Sequence, residues 1–414
     1  MDTKTLRCGL LGRKLGHSYS PAIHERLADY SYRLFEVEPE DLGAFLQEGA
    51  FDGLNVTIPY KKDVIPYCAE LSDTARAIGA VNTLVRRADG TLWGDNTDAY
   101  GFSMLVQSSG ADVAGKKALV FGSGGASATA QYVLRRLGAR EVVVISRHGE
   151  DNYENLDRHA DAQIAVNTTP VGMYPNTGVS PVDLHRLPRL EAALDVVYNP
   201  ARTEFLLQAE ARGLRRANGL LMLAAQAKKS CEDFTGEPVD DAKIFSITKA
   251  LEAQMHNVIL IGMPGSGKTT IGTLVAKRLG RTFVDADSAL EREAGMPIPE
   301  IFRREGEAGF RRRETAVLTE LGRQSGLVLA TGGGSVTREE NYPLLHQNGE
   351  IFCLQRALEQ LPSAGRPVSQ ALGAQTIYAQ RKPLYARFAD AMIDNNGTPE
   401  AAAAQILEVL GCSC

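Results

Sequence analysis

The sequence predicts an α/β protein of several domains, with parallel sheets covered by helices. Three observations carry this. Short β-rich apolar runs alternate with helical patterns along nearly the whole chain, the pattern of strands buried on both faces. Two Gly-rich turns, "FGSGGASA" and "GMPGSGKTT", each join an apolar run to a helical segment. The 414 residues also exceed a single domain, at about 100–200 residues per domain.

In order, the strand candidates are "RCGLLG", "YRLFEV", "GLNVTI", "KALVFG", "EVVVIS", "QIAVNTT", "ALDVVY", "NVILIG", "TFVDAD", "LVLATGGG" and "EIFCLQ". Helices are expected at about Pro21–Tyr30, Thr97–Ser109, Gly124–Leu137, Leu220–Phe234 and Gly267–Leu279. Ile244, Ile247, Leu251 and Met255 recur at helical spacing. A helix therefore runs almost directly into the strand at Asn257, with no long flexible linker.

Composition narrows the function classes. A hydrophobic content of 44% with 23% charged residues is that of an ordinary globular protein. The net charge of -5 argues against nucleic acid as a main partner. All of it lies before Asn257, because the 17 Lys+Arg from there onward match 17 Asp+Glu; one basic cluster, "FRREGEAGFRRRE", stands out in that half. The six Cys form no C-x-x-C pair and fit a reducing compartment. No signal-peptide core and no run of about 20 apolar residues is present. The expectation is a cytoplasmic protein, with no nucleic acid or membrane partner.

"GMPGSGKTT" fits G-x-x-x-x-G-K-S/T at every fixed position, after an apolar strand and before a helix. Bare backbone N–H groups cradle phosphates, Lys268 brings charge to them, and the Thr269 hydroxyl suits Mg²⁺. Pro264, Gly265, Ser266, Gly267 and Thr270 complete the expected ATP loop. Asp285 and Asp287, at the end of the next strand, alternate toward one side; one serves the metal and the other an acceptor hydroxyl, or both are simply solvated. Arg311 and Glu314 lie one helical turn apart, as a carboxylate clamp or as an ordinary exposed pair. Gly332, Gly333 and Gly334 let backbone approach a small ligand.

These motifs, with "GRP" and "RKPLY", resemble shikimate kinase in order and spacing over nearly all of residues 257–414. The resemblance implies that Asp287, Arg311, Gly333 and Arg381 hold shikimate, with Asp287 nearest the reacting hydroxyl. It also implies that Arg366 comes from a lid over the ATP phosphates. The lid segment "LPSAGRPVSQALGAQ" is shorter and less basic than is usual in that family.

The other turn places Gly122, Gly124 and Ser127 on G-x-G-x-x-G/A, and "EVVVIS" completes a βαβ unit. The next strand ends in Ser146-Arg147 where an NAD site would carry an acid. Arg147 suits a 2′-phosphate or is a solvated surface residue; Glu150 and Asp151 follow closely. Ser18 and Ser20 precede a helix, where hydroxyls and free N–H groups suit a carboxylate, or Ser20 is simply an N-cap with Pro21 at the first helical position. Asn55, Thr57, Lys61, Asn82 and Asp98 follow in "GLNVTIPYKK", "GAVNTL" and "WGDNTDAYG".

Together with "GLLMLAAQA", these resemble shikimate dehydrogenase over about residues 6–251. Carried over, Ser18, Ser20, Asn55, Thr57, Asn82, Asp98, Tyr198 and Gln226 bind shikimate. Lys61 is the general acid/base, paired with Asp98. Gly122, Ser123, Gly124, Gly125, Ala126, Arg147, Val196 and Gly219 border NADP(H). The helix that commonly follows Arg147 in the family is missing.

The expected organisation is a substrate domain over 1–100, with return helices at about 219–254. A Rossmann-like NADP domain follows over 101–238, then a P-loop kinase domain over 255–414. The implied function is reduction of 3-dehydroshikimate with NADPH, followed by phosphorylation of shikimate with ATP and Mg²⁺. A competing reading is an NAD-linked quinate/shikimate dehydrogenase fused to a weak or regulatory nucleotide-binding module.

Overall fold

The computed structural model describes residues 6–16, 18–361 and 374–412. The chain divides into two compact units. One runs to Met173 and adds Val179–Tyr198 and Phe205–Ala250; the other takes Tyr174–Gly178, Asn199–Glu204 and the chain from Leu251.

The first unit begins with β1 (Arg7–Gly12), α1 (Ser20–Leu27), β2 (Ser31–Glu36), α2 (Leu42–Glu48), β3 (Gly53–Val56), β4 (Cys68–Leu71), α3 (Asp73–Ile78), β5 (Thr83–Arg86) and β6 (Leu92–Asp95). Its six strands form one sheet in the order β2-β1-β3-β5-β6-β4. Here the structure departs from the expected parallel sheet, because β5 is antiparallel to both β3 and β6. The cause is a tight turn at "RRADGT": Arg87 N–H donates to Thr91 O and Gly90 N–H to Arg87 O. This folds β6 back beside β5. Neither strand is an uninterrupted apolar run, so neither is visible in the sequence.

Helix α4 (Asp98–Ser109) leads into a second sheet. It contains β7 (Lys117–Phe121), α5 (Gly125–Arg136), β8 (Glu141–Ile145), β9 (Ile164–Asn167), β10 (Ala192–Asp195), α6 (Glu204–Ala211) and β11 (Arg215–Ala217). The strand order is β11-β10-β9-β7-β8, every pairing parallel. All of β7 is buried. Leu119 and Phe121 face one hydrophobic cluster, and Ala118 and Val120 the other, as alternation in a doubly covered strand requires. Because β8 lies on one side of β7 and β9 on the other, the loop after β7 opens at the switch point where such sheets bind ligands.

Next come α7 (Leu220–Thr235) and α8 (Ala242–Met255). Helix α7 packs on α4 so closely that a Cβ at Gly101 would lie 2.6 Å from Met222 O. On α8, Ile244, Ile247, Leu251 and Met255 are all buried, as their spacing predicts. The division between the two units falls within this helix, after Ala250.

The second unit holds β12 (Asn257–Gly262), α9 (Lys268–Leu279), β13 (Thr282–Asp285), α10 (Ala286–Ala294), α11 (Ile298–Arg323), β14 (Leu327–Ala330), α12 (Asn341–His346), β15 (Gly349–Gln355), α13 (Ala374–Phe388), β16 (Ala391–Asp394) and α14 (Pro399–Val409). The sheet order is β13-β14-β12-β15-β16, parallel throughout. Central β12 is wholly buried. Ile259 and Ile261 enter one core, Val258 and Leu260 the other. Helix α11 is broken at Gly306, where φ is +67°. The basic cluster there is neutralised locally: Glu300 pairs with Arg303 and Arg304, and Glu305 with Arg313. No helix among the described residues is long and apolar enough to cross a membrane.

Asn257 pins the start of β12. Its Nδ2 donates to Gln324 O at 2.7 Å, and its Oδ1 accepts from Leu327 N–H at 2.8 Å. Asn257→Ala leaves a buried N–H unpaired and should cost about 1–3 kcal/mol. Faster native-state hydrogen exchange at the Leu327 amide and along β12 checks this.

Candidate active sites

In the first unit, a cavity of about 280 Å³ collects residues that are far apart in sequence. Ser18 and Ser20, Asn55 and Thr57, Lys61, Asn82, Asp98, Tyr198 and Gln226 all line it. Several are delivered by the ends of elements, whereas Gln226 comes from within α7. Ser20 opens α1, and its N–H donates to Ser18 Oγ at 3.2 Å, with no side-chain cap on the helix. Asn55 is on β3, with Thr57 just past that strand, and Asp98 is the first residue of α4. A helix N-terminus favours a carboxylate at that position.

Lys61 Nζ lies 2.5 Å from Asp98 Oδ2, both side chains mostly buried. The polar wall is fixed from behind. Tyr32 OH donates to Asn55 Oδ1 at 2.7 Å, and Thr97 N–H donates to Asn82 Oδ1 at 2.7 Å, while Asn82 Nδ2 donates to Thr97 Oγ1 at 3.0 Å. Sequence reading missed these supports. Thr97 stands next to Asp98 and was findable; Tyr32, inside a strand, gave no signal. Burial raises the Tyr198 phenol above its ordinary pKa, with a smaller effect from neighbouring Tyr19.

A larger cavity of about 1030 Å³ adjoins it. Gly122, Ser123, Gly124, Gly125, Ala126, Ser146 and Arg147 line it, together with Lys61. Lys61 thus borders both cavities. Gly124 is the N-cap of α5 and brings no side-chain cap. A Cβ there would meet nothing within 4 Å. Open space before uncapped N–H groups fits a pyrophosphate. Asp151 is turned away: its Oδ1 lies 2.8 Å from His159 Nε2. Only a short 3₁₀ turn, Leu156–His159, occupies the segment between β8 and β9. Two further residues expected beside the cofactor lie next door. Val196 and Gly219 line the smaller cavity instead, where a Cβ on Gly219 would collide with Val196 O.

In the second unit, a cavity of about 650 Å³ opens at the C-terminal edge of the sheet. One end is formed by Pro264, Gly265, Gly267, Lys268, Thr269 and Thr270, and Asp285, Asp287, Arg311, Gly332, Gly333, Gly334 and Arg381 contribute the rest of the expected set. Gly265 and Gly267 have φ of +83° and +90°, which lets successive backbone N–H groups turn to one centre. Ser266, expected among the ATP contacts, does not line the cavity. Between two left-handed glycines its side chain turns inward and is fully buried.

Lys268 Nζ donates to Gly262 O and Met263 O at 2.9 and 3.1 Å. Thr269 Oγ1 donates to Asp285 Oδ2 at 2.9 Å. These hard oxygens fit Mg²⁺, which takes few protein ligands and completes its shell with water and phosphate.

Strand alternation, expected from the sequence, does not align Asp285 with Asp287, because β13 ends at Asp285. That residue caps α10, accepting from the N–H groups of Asp287 and Ser288, and Asp287 projects from the helix's first turn. Burial, then the charges of Asp285 and Glu314, push the Asp287 carboxyl up to about 6 despite Lys268 and Arg311.

Arg311 and Glu314 form a buried pair, Nη1 to Oε2 at 2.7 Å. Their remaining atoms, Arg311 Nε and Glu314 Oε1, are buried without partners among the described residues. The triple glycine is packed against these groups: a Cβ at Gly332 would lie 2.6 Å from Glu314 Oε1, and one at Gly334 would collide with Arg311 Nη2. Arg381 Nη1 donates to Gly333 O at 3.0 Å. Arg366 lies outside the described residues.

Comparison with known proteins matches this geometry to families. Residues 10–84 match the shikimate dehydrogenase substrate binding domain. The shikimate dehydrogenase (NADP(+)) of Clostridium perfringens strain SM101 is 36% identical over 267 residues, 59% of this chain and 98% of the relative. The chain belongs to the shikimate dehydrogenase family. Residues 264–411 match shikimate kinase, so the chain also carries a shikimate kinase domain.

Among solved structures, a chorismate mutase/shikimate 5-dehydrogenase fusion protein from Clostridium acetobutylicum aligns with a TM-score of 0.57 and 35% identity, over 60% of this chain and 97% of that one. Shikimate 5-dehydrogenase from Thermus thermophilus, in complex with NADP(H) and shikimate, aligns with a TM-score of 0.54 and 33% identity, over 59% and 99%.

Asp287 should titrate near pH 6 in the free protein, followed by carbon-13 NMR of the Asp carboxyls. Asp285→Asn removes a like charge and should lower that midpoint. Asp287 is therefore largely ionised, and able to accept a proton, above about pH 6.

Proposed function

We propose that the chain catalyses two consecutive reactions of aromatic amino acid biosynthesis. The first unit reduces 3-dehydroshikimate to shikimate with NADPH, and the second phosphorylates shikimate at the same oxygen with ATP and Mg²⁺. The observation that carries the first half is the position of Lys61, on the wall of both cavities and paired with Asp98.

Bound NADPH supplies the hydride. Ser18 and Ser20, at the uncapped start of α1, hold the substrate carboxylate, and Asn55, Asn82, Asp98 and Gln226 hold its hydroxyls. Lys61 Nζ gives a proton to the carbonyl oxygen as it becomes an alkoxide, and Asp98 keeps that amine oriented. General acid help of this kind amounts to about 10²–10⁴ in rate. Arg147, at the end of β8 with Asp151 turned to His159, favours the 2′-phosphate of NADP.

In the kinase domain the protein's part is positioning and charge. Arg311 and Arg381 hold the acceptor's carboxylate against the Gly332–Gly334 turn. Asp287 accepts the proton of the reacting hydroxyl. Lys268 faces the phosphates, and Thr269 with Asp285 holds Mg²⁺.

This division of labour can be tested one lysine at a time. Lys61→Ala should lower ketone reduction by at least about 10²-fold and leave phosphorylation intact, while Lys268→Ala does the reverse. A coupled assay with 3-dehydroshikimate, NADPH and ATP, read by product mass, checks both. Loss of both activities from either folded variant would refute the reading. NADPH should be turned over in strong preference to NADH, and Arg147→Ala should erode that preference. Comparable turnover of the two cofactors, or quinate oxidation with NAD as the faster reaction, would overturn the cofactor assignment.

A further inference from the structure

The kinase cavity has a cation that neither the motifs nor the proposed mechanism uses. Arg356 lines it together with Lys268 and Thr269. It is the residue immediately after β15, whose Leu354 is in register with Gly262, the first residue of the Gly-rich loop. At about 3.3 Å per residue in a parallel strand, Arg356 lies roughly 7 Å beyond that level, on the strand neighbouring the loop. This is the C-terminal edge of a parallel sheet, where open α/β folds bind ligands.

The side chain is half-buried. Its Nε is buried and bonded to no group among the described residues. Other arginines of this unit behave differently: Arg303, Arg304, Arg311 and Arg313 each pair with a Glu. The backbone beside Arg356 is held, with Ala357 N–H donating to Asn396 Oδ1 at 2.8 Å. A guanidinium fixed at its base, with a desolvated donor and no carboxylate partner among the described residues, is suited to an anionic ligand.

Position decides which anion. Arg311, Arg381 and the triple glycine gather at the acceptor's end, whereas Arg356 stands on the strand beside the phosphate loop. We propose that Arg356 contacts the β-phosphate end of the nucleotide, adding a second fixed positive charge to that of Lys268. The inference rests on the kinase reading above. It gives the nucleotide a cationic contact that comes from the sheet edge and not from the loop motif.

Calorimetry on the full chain tests it, with ADP, AMP and shikimate as separate ligands and Arg356→Ala and Arg356→Lys as variants. A charge-assisted hydrogen bond of this kind corresponds to roughly 10-fold or more in affinity. Arg356→Ala should weaken ADP binding by about that factor and leave AMP and shikimate unchanged, and Arg356→Lys should recover part of the loss. Unchanged shikimate and AMP binding by each variant reports that the kinase unit is folded. ADP binding within about 2-fold of wild type, on the same scale, would overturn the proposal. So would equal losses for ADP and AMP, which would move the contact to the nucleoside or the α-phosphate, or a loss for shikimate, which would move it to the acceptor. Failure of the wild-type chain to bind ADP at all would overturn the kinase reading itself.

Discussion

The Lys61–Asp98 contact is the constraint on which the first unit's site depends, and both of its ends are tied to one short stretch. Lys61 O accepts from Val81 N–H at 2.7 Å. Asp98 begins α4 immediately after Thr97, whose N–H is held by Asn82 Oδ1. Asn82 N–H in turn donates to Asp95 O at 3.0 Å. The ammonium and the carboxylate therefore stand on two segments that share Ala80–Asn82 as their common brace. A partly buried ion pair holds its geometry only when both backbones are fixed, because desolvation offsets much of the attraction. The antiparallel β5–β6 hairpin supplies that fixity.

That hairpin is also concealed in the sequence, as are the short edge strands β4, β11 and β16. Strands β7 and β12 are legible because burial on both faces demands unbroken apolar runs. In β5, "TLVR", and β6, "LWGD", the composition is mixed, since residues at the ends serve the site as well as the core. The site residues were more legible than the sheet that holds them. Ser18, Ser20, Asn55, Asn82, Lys61 and Asp98 are polar groups at the ends of predictable elements, and all meet in one cavity. Ser266 shows the opposite limit. A motif names every residue of a loop, but the backbone decides which of them face outward, and two left-handed glycines turn this one in. Asp287 stands beside Asp285 through a helix turn and not through strand alternation. Arg356 lies outside any motif, and only the register of β15 against β12 reveals it.

The two units handle buried polarity differently. In the dehydrogenase cavity the main polar side chains already have protein partners: Asn55 has Tyr32, Asn82 has Thr97, and Lys61 has Asp98. Such a site is preorganised, and a ligand adds bonds without first repairing anything. In the kinase cavity Arg311 Nε and Glu314 Oε1 are buried without partners among the described residues, and burial disfavours the ionised form of Asp287. A buried donor or acceptor left unmade costs about 1–3 kcal/mol, a penalty that a ligand bonding to these atoms would relieve. The chemistry of each step suits its arrangement. Proton delivery to an alkoxide needs an amine kept charged and aimed. Phosphoryl transfer needs a base that is easily neutralised and charges that become fully engaged only when nucleotide and acceptor are both in place.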